Sequence, residues 1–145
     1  MKKYLMTLVT FAIIACQPSP NTQENNSMQE PVQTNIKNET LRKHSFLQDM
    51  YADDYFPDFL VDKGKAILIQ LCLEIEKAEP KTLDELYTLT HTATEKFNDL
   101  EDEFSENGSE IETAARENIA MDFEAISNAY GFEADVEELI APRNW

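Results

Sequence analysis

Residues 82–104 read TLDELYTLTHTATEKFNDLEDEF. Leu83, Leu86, Thr90, Ala93, Phe97, Leu100 and Phe104 recur at spacings of three and four, which puts them on one face of an α-helix. Thr82 and Glu85 form a capping box at its start, since the hydroxyl and the carboxylate can each satisfy an amide that the first turn leaves without a partner. Asn107 and Gly108 stop the helix.

The preceding stretch from about Val61 to Ala78 is apolar nearly all round (Ile67, Leu68, Leu71, Cys72, Ile75) and ends before Pro80. It predicts a second, central helix, with a first over Leu41 to Met50. On the other side, Ser109 and Glu112 read as another capping box. A fourth helix then carries Ile111, Ala115, Ile119, Phe123, Ile126 and Tyr130 on one side, with Gly131 at its C-terminal position. A last turn, DVEELI, ends before Pro142. Short connections between long helices favour antiparallel neighbours. No strand pattern or internal repeat competes. The expected fold is all-α: a small antiparallel helical bundle over residues 41–145, preceded by a signal peptide and a disordered linker.

The start of the chain carries a different message. Lys2 and Lys3 precede an apolar run, LMTLVTFAII, from Leu5 to Ile14. Ten residues of helix rise about 15 Å, half of a hydrocarbon core of about 30 Å, so residues 1–15 read as a secretory signal and not as a membrane span. Small Ala15 stands just before Cys16. The stretch IIAC resembles the lipobox of bacterial lipoproteins. That resemblance implies cleavage before Cys16, a diacylglycerol thioether on its sulfur and an acyl chain such as palmitate on its amine. Gln17, where an Asp is absent, implies an outer-membrane destination facing the periplasm. From Gln17 to Thr40 the text is rich in Asn, Gln, Pro, Ser and Thr without apolar periodicity, so residues 16–40 read as the lipidated Cys16 and a flexible tether. Its r.m.s. reach is about 25 Å.

Charge narrows the partners. The 145 residues hold 28 Asp+Glu against 12 Lys+Arg, a formal net charge of −16, and 42% of residues are hydrophobic. The chain is too apolar to be wholly disordered. Its acidity argues against nucleic acid, which is bound through clustered Lys and Arg, and against docking on anionic headgroups through a basic face. It leaves a basic protein partner, cations, or a surface that only keeps the protein soluble. Cleavage before Cys16 removes Lys2 and Lys3 and no acid, which sharpens the imbalance.

Four places invite chemistry. In DDYFPDFLVDK (53–63), Asp53, Asp54, Asp58 and Asp62 alternate with Tyr55, Phe56 and Phe59. Clustered Asp can ligate a hard cation such as Ca²⁺, but the spacing lacks the turn Gly and closing Glu of a calcium loop. The competing reading has Asp62 capping the second helix while the aromatics pack. His91 and Glu95 lie four apart on the third helix, yet neither His44 nor His91 has a Glu three residues before it, as a di-metal bundle requires. A hydrogen-bonded structural His91 is the simpler expectation; His44 carries no signal. Cys72 sits among leucines and reads as a hidden core thiol. The run NDLEDEFSENGSEIE (98–112) crowds acids around the Asn107–Gly108 turn, some of them against the negative end of a helix, and is a candidate contact for a basic partner or cation.

MYADDYFPDFLVDKGK, LTHTATEKFNDLEDEF, ENGSEIETAAREN and YGFEADVEELIAPRNW together resemble a family of small acidic bacterial domains of unknown function. The resemblance spans about Leu47 to Trp145. It implies a compact, mainly helical domain and lends no activity, substrate, cofactor or catalytic residue. The leading expectation is a membrane-tethered lipoprotein whose acidic domain binds a basic protein partner, with no catalytic residue and no cofactor. The alternatives are a divalent-cation-binding protein or cation-dependent enzyme using Asp53, Asp54, Asp58 and His91, and a purely structural envelope lipoprotein.

Overall fold

A computed structural model describes residues 31–145. The signal segment, the lipobox with Cys16 and the first half of the tether lie outside the described residues. Within them the chain is all helical: a 3-10 turn at Gln33–Asn35, then α1 (Glu39–Arg42), α2 (Gln48–Tyr51), α3 (Asp58–Ala78), α4 (Leu83–Glu106), α5 (Thr113–Ala129) and α6 (Val136–Leu139). No strand occurs among these residues, and no helix there is long and apolar enough to cross a membrane.

α3 and α4 are the frame. Pro80 has no amide with which to continue α3, and the chain leaves through Glu79 in the left-handed region at φ 49°. Four linking residues return it as α4, antiparallel against α3. Leu86, Thr90, Ala93, Phe97, Leu100 and Phe104 of the predicted α4 face are buried, while Leu83 at its start stays exposed. The two buried threonines need no outside partner. Thr90 and Thr94 donate their hydroxyls to the carbonyls of Tyr87 and Thr90, at 3.2 and 3.0 Å. α5 lays Ala115, Ile119, Phe123 and Ile126 across the pair, and α6 closes over α4 and α5 with Leu139 and Ile140. Near α6, Asn98 holds the C-terminal segment by donating to the Pro142 carbonyl at 2.9 Å and accepting the Asn144 amide at 3.1 Å.

Four local expectations are corrected. The single first helix over 41–50 is two one-turn helices, separated by a reversal in which Leu47 takes φ 54°. The second helix starts at Asp58, ahead of Asp62, so Asp62 is not its cap; it accepts the Tyr51 hydroxyl at 2.5 Å instead. α5 starts at Thr113 rather than from a Ser109–Glu112 box: Ser109 is buried with its hydroxyl unpartnered, and the Ile111 amide is taken by Glu101 at 2.7 Å. At the start of α4 the Thr82 hydroxyl does accept the Glu85 amide at 3.3 Å, but the Glu85 carboxylate reaches back one residue further, to the Lys81 amide at 2.6 Å. The end of the tether is also ordered. Ile36 is fully buried, Gln33 donates to the carbonyls of Leu41 and His44, and Asn38 caps α1.

Candidate functional site

The α2–α3 corner presents the stretch singled out by composition. Phe56 turns inward, 6.3 Å from Phe104 between ring centroids, and Leu60 and Val61 follow it into the core. That rotation of the helix start leaves the neighbours outside: Tyr55 is 41% and Phe59 53% exposed. Asp53, Asp54 and Asp58 are exposed around them. Asp53 accepts the Tyr55 amide at 2.9 Å, which fixes the turn. Among the described residues none of these three acids pairs with a Lys or Arg. Tyr51, beside them, is pushed above its ordinary pKa by burial and by its hydrogen bond to Asp62.

These acids do not form a metal centre with His91. No group of three or more His, Cys, Asp or Glu side chains is arranged to hold an ion among the described residues. His91 is on α4, stacked parallel to Tyr87 at 5.9 Å, with Nε2 at 2.7 Å from the Glu138 carbonyl. Glu95 accepts from Asn98. The acids around Asn107–Gly108 are partly engaged within the fold. Glu103 pairs with Lys63, and Glu101 is raised by burial and by Glu110 and Asp102, against the Ile111 amide that lowers it. Lys63 of α3 thus offsets part of the negative charge at the end of α4, while Glu101 still feels its acidic neighbours. Cys72 is fully buried, and burial foremost, then Glu76, pushes its thiol up to about 12.

Two polar networks escaped the sequence reading. On α5, Asn118 and Asp122 stand one turn apart and both face inward. Asp122 accepts the Leu47 amide at 2.7 Å and meets His44 Nε2 at 2.6 Å, while Asn118 accepts the Met50 amide at 3.2 Å. Those side chains cap α2 from another helix, doing what a local Ser or Asp does elsewhere. Burial raises Asp122, opposed by His44 and the Leu47 amide, and the net shift is upward. The second network joins α3, α5 and the N-terminal segment. Glu76 accepts the amides of Lys37 and Asn38 and the Tyr130 hydroxyl, each at 2.9 Å. Burial would raise Glu76, but those donors outweigh it and hold the carboxyl below its ordinary range. A groove of about 460 Å³ runs past this latch between Ile75, Glu79, Tyr130 and Phe132. The only advance signal for either network was a polar residue at an inward register position: His44 and Glu76 had no visible partner in sequence.

Residues 40–145 match DUF5713, a family of unknown function, and the chain belongs to that family. No curated protein and no solved structure matches the chain.

Proposed function

We propose that this DUF5713 member is a membrane-tethered lipoprotein whose acidic helical domain is a binding module for a basic protein partner. The anchor rests on the order Lys2–Lys3, apolar run, Ala15, Cys16. Two acyl signals on Cys16 suffice for stable attachment. The observation that carries the binding reading is the α2–α3 corner: two aromatic rings, Tyr55 and Phe59, stand exposed within a rim of three acids that have no Lys or Arg partner among the described residues. Aromatic anchors supply the apolar contact area of protein interfaces, and the acids steer and register a partner of opposite charge.

The anchor is tested by mass spectrometry of the mature N-terminal peptide and by fractionation of Cys16→Ser. A peptide beginning at Cys16 with the diacylglyceryl group on its sulfur and an acyl chain on its amine, and release of Cys16→Ser from the membrane fraction, support it; a peptide beginning at Met1 overturns it. The binding reading is tested by titrating the full chain with basic envelope proteins at low and high salt. Affinity that falls with salt and weakens several-fold in Phe59→Ala and Asp54→Asn supports it. Affinity indifferent to salt and to both variants refutes the assignment.

A further inference from the structure

The face of α5 turned away from Asn118 and Asp122 carries Glu117, Met121 and Glu124, and α6 runs beside it. Between the two helices lies a groove of about 480 Å³ with Ala120, Met121 and Val136 as its apolar floor. Met121 is 60% exposed, the most exposed large apolar side chain among the described residues. Glu117 and Glu124 stand seven residues apart on one helix face, about 10.5 Å along the axis, with Met121 between them. Among the described residues neither has a Lys or Arg partner. The third acid of the groove is different: Glu137 is held by Arg116, which also lines the groove, at 3.7 Å and by Arg143 at 2.5 Å, so the two guanidiniums outweigh its charge at that wall and the unpaired negative charge lies on Glu117 and Glu124.

We infer that the α5–α6 groove docks an amphipathic basic helix of a partner protein. That helix would lay one apolar side chain on Met121 and two basic residues, seven apart, on Glu117 and Glu124. The spacing of the two glutamates and their charge fit, and the groove has room for the side chains of one helix face. A facing helix repeats its contacts every seven residues, so one pair of basic residues meets both glutamates while the apolar residue between them meets the methionine. Methionine is suited to such a floor because its unbranched, polarizable side chain adapts to the group that lands on it. A second copy of this chain is the poorer occupant, since its net charge of −16 would bring like charge to the same wall. This surface deepens the basic-partner reading, on which it rests, and uses different helices from the α2–α3 corner.

The test follows the Met121 methyl group by NMR in the full chain labelled at its methionine methyls. The probe is a synthetic amphipathic helix with Lys residues seven apart and Leu between them. Its control has the same composition with the two Lys on opposite faces. Saturable movement of the Met121 methyl with the first peptide and not the second is expected, while the core methyl of Met50 stays still. Glu117→Gln with Glu124→Gln weakens binding about threefold to tenfold. An unmoved Met121 methyl, or equal response to both peptides, overturns the inference. Movement on raising protein concentration alone makes a second copy the occupant and also overturns it. Binding that leaves Met121 still but is lost in Phe59→Ala places the partner at the α2–α3 corner, which ends this inference and preserves the proposed function.

Discussion

Gly64→Ala tests the packing that joins the loop before α2 to the main helices. A Cβ built at Gly64 meets Leu47 Cδ1 at 2.9 Å and Phe97 Cε1 at 3.1 Å, where ordinary carbon contacts lie near 3.5–4.0 Å. Both neighbours are buried. Leu47 is fully buried and its amide is bonded to Asp122 at 2.7 Å, and Phe97 lies against Phe123 and Trp145 with centroids 6.1 and 6.2 Å away. Two effects compete. Replacing Gly by Ala inside a helix favours folding by about 1 kcal/mol. Forcing an extra carbon into a filled core costs about 1–3 kcal/mol. With both contacts tight the clash wins, and the expected net loss is about 1–2 kcal/mol, or a Tm lowered by about 4–8 °C for a domain of this size. Urea titration with the slope held in common with wild type measures it. In a cycle with Leu47→Ala the two penalties are expected to be less than additive, because removing the Leu47 side chain relieves the clash. A Gly64→Ala protein as stable as wild type, or more so, refutes the argument and means that Leu47 rotates away at little cost.

Three further outcomes follow from the polar networks and the thiol. Asp122→Ala strips the acceptor from the buried Leu47 amide and leaves His44 without its partner, so unfolding free energy falls by about 3 kcal/mol, read by denaturant titration; Asp122→Asn, which keeps an acceptor, loses less. Glu76 has its carboxyl held below the ordinary value, so its contribution to stability is fully present above that ordinary value and is lost as pH falls through the depressed one. Thermal unfolding across the acid range shows wild type losing more stability than Glu76→Gln as pH falls below about 4.5, and equal slopes in the two proteins contradict this. Cys72, buried and raised to about 12, resists thiol reagents in the native protein and titrates as one thiol in denaturant when Cys16 is lipidated; two thiols in denaturant mean Cys16 is unmodified.

The sequence shows whatever the chain specifies within a turn or two. The α4 face is set by side chains three and four apart, the end of α3 by Pro80 and the end of α5 by Gly131 at φ 84°; all are visible at short range. The mistaken single helix over 41–50 shows the limit. Local propensity favours continuing it, but Asp122 and Asn118, about 70 residues away, take the amides of Leu47 and Met50 and hold a left-handed break between two single turns. The packing of Ile36 is of the same kind: its segment looks like tether until Glu76, 39 residues from Lys37, supplies the acceptors for its backbone.

The candidate surfaces divide along the same line. The acids and aromatics of residues 53–59 are conspicuous as text, yet only the direction of α3 decides that Phe56 is buried while Tyr55 and Phe59 face solvent. Glu117, Met121 and Glu124 look like an ordinary wet helix face; only the placement of α6 beside them makes a groove. The acidic composition and the helix faces of the described residues are legible in the sequence, because hydrogen bonds along a helix and side-chain periodicity are local. Tertiary structure alone decided the left-handed break at Leu47, the latch at Glu76 and the α5–α6 groove, because each depends on groups that meet only after the helices pack.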